Sequence, residues 1–408
     1  MMQPRKGLTR RQFFKGSLGA AAAFSVVPRH VLGGEGNTPP SDTFGGALIG
    51  SGGRGPGTFA DLKGHHNLDV TLLARCDVRF ADRADNKTIY TDYRLVLERK
   101  DIDIVAIGTH PGWHALISIA AMEAGKDVLC EKPMTRFIAE GRAVAEAEKR
   151  YGRIFQIGTY GRYGANRRTH KLMASGLLKK CPAVVMRRGD VKVAEWSGKV
   201  QYEVEPVPRW LEWEMYCGPA PLRPYQDHRF GGTHRGYWDY EGGGLADMSQ
   251  HHLDSFNYEY AKDYTSPVEV EAYAPPAHPE ACGMWGWVEL QYADGLTLVI
   301  DSGEWGEPYN RKKERGVSED DLSPQDREKL RQMPDPEPLL GFGEAVKTRK
   351  QCGGHAEAAH RTATLFHLAN IAIRTGRKLK YDPVKEVIIG DEEANRLIYQ
   401  PMRAPWRL

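Results

Sequence analysis

The chain has 408 residues, 41% of them hydrophobic, enough to bury a sizeable core arranged as two domains. Charge is near balance, 56 Lys and Arg against 53 Asp and Glu, and Arg5, Lys6, Arg10, Arg11, Lys15 and Arg29 all precede the first acidic residue, Glu35. Beyond that cluster acidic side chains are in slight excess, which argues against the basic surface of a nucleic-acid binder. The scattered cysteines (Cys76, Cys130, Cys181, Cys217, Cys282, Cys352) form no C-x-x-C and no zinc-ligand spacing, so buried thiols are expected and no metal is required.

Thr9-Arg10-Arg11-Gln12-Phe13-Phe14-Lys15 precedes an apolar run from Leu18 to Val27, closed by Pro28. Such a run is well short of the roughly 20 residues of a membrane span, so no stable membrane anchor is expected. A basic region, a short apolar region and then small residues make an export signal. The paired arginines resemble the twin-arginine motif, with Phe14 where leucine is more usual. That resemblance implies a signal over residues 1–32, passage through the twin-arginine export machinery in the folded state, and a periplasmic or otherwise exported destination. Residues 33–43, rich in Gly, Pro and Ser, read as a linker.

The first apolar strand, Ala47-Leu48-Ile49, ends in G-x-G-x-x-G: Gly50, Ser51, Gly52, Gly53, Arg54 and Gly55, followed by a helix over about 56–62. The glycines allow a tight turn and close approach of the backbone to a pyrophosphate, which then sits at the helix N-terminus. A second strand, Leu68 to Ala74, closes on Cys76-Asp77, about 20 residues on, where an acid hydrogen-bonds the adenosine ribose. Asp77 would repel a 2′-phosphate and so favours NAD(H). Arg79 could hold that phosphate or stack on adenine, which leaves NADP(H) open.

Alternation of strand and helix continues through Ile102–Gly108, Ala115–Ala124, Asp127–Cys130, Phe137–Arg150 and Ile154–Ile157, implying a doubly wound parallel sheet over residues 44–160. Ligands bind at the carboxyl ends of such strands. There stand the glycine loop, Asp77, Arg79, the loop with Thr109, His110 and His114, and Glu131-Lys132-Pro133, the expected cofactor contacts.

From residue 161 to 408 longer strands with aromatic content (Ala183–Arg188, Val268–Tyr273, Trp285–Tyr292, Leu296–Ile300) suggest an α+β domain on an open, largely antiparallel sheet, one face free for a partner subunit. The charged, proline-rich stretch 304–352 reads as an insertion and His355–Arg374 as a helix that packs back on the first domain. Gly242-Gly243-Gly244 precede a helical segment in which Asp247, His251 and Asp254 fall at i, i+4 and i+7 on one face. Asp247 can therefore touch His251 and set its tautomer. Adjacent His251 and His252 project about 100° apart and cannot easily share one ion.

The glycine loop, the T-x-P-x-x-H-like loop and Glu131-Lys132-Pro133 together resemble the Gfo/Idh/MocA oxidoreductase family, and Asp247–His251 matches its D-x-x-x-H motif, with Ser249 in place of a common glycine. The resemblance implies that Lys132 stabilises the substrate oxygen, that His251 is the acid/base and Asp247 its support, and that the protein is a homodimer or homotetramer. Tyr160 and Arg162 stand where exported members often carry Gln and Arg, and are expected substrate contacts together with Asp247 and His251. Trp210, Trp213, Trp238 and Tyr240 offer flat faces for a sugar ring. The expected activity is NAD-dependent oxidation or reduction at a hydroxyl or keto group of a small-molecule sugar, polyol or glycoside. A rival of the same fold is an NAD-dependent glycoside hydrolase that oxidises ring carbon 3 transiently and eliminates the aglycone; a third reading is a sugar sensor that binds dinucleotide without turnover.

Overall fold

The structure, a computed structural model, describes residues 43–179, 181–187, 197–399 and 401–408. The expected signal, and the linker apart from Thr43, lie outside the described residues.

In the first half, β1 (Thr43–Ile49), α1 (Gly55–Gly64), β2 (Asp69–Cys76), β3 (Ile89–Tyr90), α2 (Tyr93–Leu97), β4 (Ile104–Ile107), α3 (Pro111–Glu123), β5 (Asp127–Cys130), α4 (Ile138–Tyr151) and β6 (Phe155–Ile157) follow one another. The strands form one sheet in the order β3-β2-β1-β4-β5-β6, with parallel registers such as Ile49 opposite Ile107 and Ile107 opposite Cys130. Every residue of β4, β5 and β6 is buried, as in a sheet covered on both faces. Alternation divides the covering: Leu48, Ile104, Ala106 and Leu129 meet Leu62 of α1, while Ile49, Val105, Ile107 and Val128 join the larger core with α3 and α4. The strand order reverses between β1 and β4, which opens a crevice there.

The second half begins with α5 (Arg167–Ala174), β7 (Ala183–Arg187), α6 (Trp213–Cys217) and α7 (Gly243–Glu259). It continues with β8 (Glu269–Tyr273), β9 (Trp287–Gln291), β10 (Thr297–Asp301), α8 (Pro324–Gln332), α9 (Phe342–Thr348), α10 (Ala356–Thr375), β11 (Leu379–Asp382) and β12 (Val387–Ile388). Its sheet runs β12-β11-β8-β9-β10-β7; β7 pairs with β10 in parallel and the other pairs are antiparallel. One face, carrying Val270, Leu290 and Leu298, joins the core beside the buried helix α10, which also packs on α4 and α7.

Two expectations change here. The sheet face thought free for a partner is partly covered by the chain itself: Tyr309 is buried against Trp287 and Val299, its hydroxyl donates to Glu289 at 2.6 Å, and the Arg311 guanidinium lies 4.4 Å from the Trp287 ring centroid. The 304–352 stretch is also more than an inserted loop. Its last part supplies Phe342, Ala345, Val346 and Cys352 to the core under the first sheet. The prolines that suggested an excursion (Pro308, Pro324, Pro334, Pro336, Pro338) precede these anchors, in a stretch that itself packs Leu322 and Leu330 against Leu172.

Candidate functional site

A cleft of about 510 Å³ opens at the carboxyl ends of the first sheet's strands and is closed on its far side by the second half of the chain. Gly50, Gly52, Gly53, Arg54, Asp77, Arg79, Thr109, His110, Glu131, Lys132 and Tyr160 line one side, and Tyr216, Phe230, His234, Arg235, Glu241 and His251 the other.

The glycine loop fits a dinucleotide. Gly50 has φ +86°, and a Cβ there would come within 2.4 Å of the Gly108 carbonyl carbon; a Cβ on Gly55 would meet the Gly50 oxygen at 1.9 Å. The loop therefore folds onto itself so that backbone, not side chain, faces the cleft, and α1 starts behind it with no acidic residue in its first turn. Ser51 and Gly55 serve the turn and do not line the cleft. The Ser51 N–H donates to Asp77 Oδ2 at 2.7 Å. Asp77 also accepts from Arg79 N, Nε and Nη2, each at 2.9 Å. Four donors saturate the carboxylate, so a ribose hydroxyl reaches it only when the Arg79 side chain turns aside.

His110 and His114 differ in role. His110 lines the cleft and pairs through Nε2 with the Tyr216 carbonyl at 2.8 Å; burial pushes its pKa down to about 3. His114 does not line the cleft, which corrects its assignment as a cofactor contact. Its ring bridges the carbonyls of Pro133 (2.7 Å) and Thr109 (2.9 Å), tying the loop after β4 to the Lys132-Pro133 turn after β5. Glu131 accepts from Thr58 Oγ1 at 2.5 Å and from Arg54 Nε at 3.3 Å, fixing the start of α1 to the end of β5.

A buried charge cluster lies where β5 ends and α7 begins. Lys132 Nζ donates to Asp247 Oδ1 at 2.6 Å and to the Asp247 carbonyl at 3.1 Å. Arg235 Nε ion-pairs with the same Oδ1 at 3.1 Å. Burial pushes the Asp247 carboxyl up, but the Lys132 and Arg235 charges outweigh it and hold the group below the usual carboxylate range. Asp247 is thus shared between two cations rather than reserved for His251. His251 is half-buried and lines the same cleft, while His252 is exposed.

One of two expected substrate contacts is corrected. Arg162 is fully buried, with Nε 3.0 Å from Asp254 Oδ1 and Nη2 3.0 Å from Asp263 Oδ1, away from the cleft. Thr159 Oγ1 completes that network on Asp254 at 2.6 Å. Tyr160 lines the cleft as expected of a substrate contact; its hydroxyl donates to Asp61 at 3.2 Å, and burial beside that carboxylate pushes its pKa up, which keeps it protonated at neutral pH. Trp213, Trp238 and Tyr240 are core residues, and Trp210 is exposed outside the cleft. Sequence reasoning missed Tyr216, Phe230, His234, Arg235 and Glu241. The available signal was the glycine-bracketed Gly231–Gly236 segment, with His234 and Arg235 side by side just ahead of the D-x-x-x-H helix.

Comparison with known proteins accords with this geometry. Residues 44–159 match the family model described as the oxidoreductase family's NAD-binding Rossmann fold, and residues 164–408 match that of its C-terminal alpha/beta domain. Inositol 2-dehydrogenase of Salmonella typhimurium is 38% identical over 103 residues, 23% of this chain and 30% of that protein. Levoglucosan dehydrogenase of Pseudarthrobacter phenanthrenivorans is 44% identical over 59 residues, 14% of this chain and 15% of that one. A glycosyl hydrolase family 109 protein of Shewanella sp. is 34% identical over 128 residues, 28% of this chain and 27% of that one. The chain thus matches less than a third of the length of these curated relatives. Among solved structures, the WlbA dehydrogenase of Chromobacterium violaceum, in complex with NADH and UDP-GlcNAcA, superposes with TM-score 0.54 at 16% identity, covering 84% of this chain and 96% of that one. An oxidoreductase domain protein of Kribbella flavida gives 0.52 at 18% identity, covering 83% and 99%. At such identities these two likenesses concern the fold.

Proposed function

The chain belongs to the Gfo/Idh/MocA oxidoreductase family, and on that premise we propose that it is an NAD-dependent dehydrogenase oxidising a secondary hydroxyl of a sugar, polyol or glycoside. The observation that carries the reading is the Lys132–Asp247–Arg235 cluster facing a glycine cradle across one cleft.

Gly50, Gly52 and Gly53 would hold the pyrophosphate, with Asp77 and Arg79 toward the adenosine. When bound, the dinucleotide supplies the hydride acceptor. Lys132 donates a hydrogen bond and its charge to the substrate oxygen, stabilising it as its proton leaves. His251, on the cleft wall two turns into α7, takes that proton as general base. Asp247 holds the Lys132 ammonium in place and so orients the donor. Arg235, with Lys132, keeps Asp247 ionised. His114 sets the Lys132 turn relative to the Thr109 loop. The paired arginines 10 and 11 support export of the loaded protein by the twin-arginine route, and assembly as a homodimer or homotetramer rests on the family resemblance.

The experiment is a single-turnover measurement of NADH formation with a panel of inositols, aldoses and methyl glycosides. NADH accumulating in proportion to oxidised sugar supports the dehydrogenase reading. Release of the aglycone with no net NADH would instead favour the glycosidase, and neither signal across the panel would sink both.

A further inference from the structure

Two carboxylates stand at the head of α7, and adjacent residues of one short turn hold them. Arg235 holds Asp247; its neighbour His234 places Nε2 3.0 Å from Glu241 Oε2. With no residue between His234 and Arg235, the two carboxylates are set on the same wall, and His234, Arg235, Glu241 and Lys132 all line one cleft. The two carboxylates differ in how they are satisfied. Asp247 Oδ1 takes two cations. Glu241 is only 2% exposed, and among the described residues its Oε1 has no hydrogen-bond partner. His234 cannot supply one, because its Nδ1 is engaged by the Gly231 carbonyl and its Nε2 by Oε2. A buried acceptor kept without a donor is destabilising in the resting fold, and on a residue that lines a cleft it is explained when a ligand brings the donor.

We propose that Glu241 is a specificity-determining residue that accepts a hydrogen bond from a second hydroxyl of the substrate, close to the one held by Lys132. The inference rests on the dehydrogenase reading above and deepens it. A carboxyl oxygen without a partner is met by a donor, so the group it reads is an O–H, and a substrate carboxylate or phosphate is unwelcome there. The substrate class is then a ring bearing neighbouring hydroxyls. A mono-alcohol leaves Oε1 unpaired and is rejected more strongly than its lost contact alone would require.

The test is calorimetric titration of the NADH-loaded protein with myo-inositol and the methyl α- and β-D-glucosides and galactosides, then with each monodeoxy analogue of the tightest binder. One deoxy position is expected to lose about 10–100-fold in affinity, the range of a hydrogen bond to a charged acceptor. In Glu241→Ala and Glu241→Gln that loss should shrink several-fold, while the other deoxy positions respond as in the unmodified protein. Thermal denaturation of both variants establishes that they fold, and the isosteric Glu241→Gln is expected to melt no lower than the parent. Unchanged binding of all probes by the variants overturns the assignment, as does a loss of NADH affinity in place of sugar affinity, and as does a parent protein that takes up none of the five. Glu241-dependent sugar binding without NADH formation from NAD would remove the dehydrogenase reading and leave this one standing.

Discussion

Lys132 Nζ lies 2.6 Å from Asp247 Oδ1, a contact between the turn that follows β5 in the first sheet and the first turns of α7, 115 residues away in sequence. Both side chains are largely buried, Lys132 12% and Asp247 4% exposed. A lysine so placed is anchored by the carboxylate it faces, which makes the pair sensitive to loss of either member.

Lys132→Ala and Asp247→Asn are each expected to lower turnover by about 10²–10⁴-fold. Neither should change NAD affinity more than a few-fold, since neither touches the glycine loop. The double variant should be little worse than the worse single one, because both act on one substrate oxygen. Single-turnover kinetics with titration of NAD on each variant checks this. Additive losses would separate the two residues functionally.

Cofactor choice turns on Arg79, which occupies the carboxylate that would otherwise meet the ribose. Arg79→Ala is expected to raise the preference for NAD over NADP by roughly 10-fold, by exposing an unneutralised Asp77 to the 2′ position. Asp77→Ala should weaken NAD binding and relax discrimination against NADP, since it also frees the Ser51 backbone. Equilibrium titration of both cofactors on the three proteins decides it.

The buried Arg162 network is structural, and its removal should show in stability and not in substrate affinity. Arg162→Ala leaves Asp254 and Asp263 facing each other without their cation, a change expected to cost about 3–5 kcal/mol. Denaturant unfolding of the variant, with KM measured on the folded fraction, separates the roles. A raised KM at unchanged stability would return Arg162 to the substrate.

What the sequence revealed of this site was local. Gly50 to Gly55, Asp77 and Lys132 lie at strand ends that apolar periodicity places on its own, so their meeting follows from the topology of a parallel sheet. Asp247 was legible as one face of a helix, but its partners were not, because Lys132 and Arg235 reach it through contacts that no spacing encodes. Arg162 was misread for the same reason: a charged residue just past a strand end reads as a ligand contact until two acidic residues, about 90 and 100 positions on, are seen to bury it. The Phe342–Thr348 helix was hidden by the prolines and charges around it, although its apolar face fills the first sheet's core.

Acid stability follows from His355, which stands at the N-terminus of α10 with its ring buried. Burial, and then the nearby Arg162 charge, push its pKa down from 6.5 to about 4. A histidine whose folded pKa is depressed contributes stability that is fully present above 6.5 and is lost as pH falls toward 4. A shift of that size corresponds to about 3 kcal/mol at most. Glu148, which accepts from the Ala356 N–H at the same helix start, acts with the opposite sign. Burial raises it from 4.5 to about 7, so its contribution is present below 4.5 and is lost as pH rises through 7. Both contributions change over the same interval, about pH 4 to 7, with opposite signs, so in the unmodified protein they largely offset each other there. In His355→Asn, which places a side chain able to cap at a helix start where the histidine makes no cap hydrogen bond, only the Glu148 contribution is left, and stability should fall by up to about 3 kcal/mol as pH rises from 4.5 to 7. Chemical denaturation at half-unit steps from pH 4 to 8 measures the slope in both proteins, and a variant whose stability varies with pH as the parent's does would show that His355 does not carry the opposing contribution.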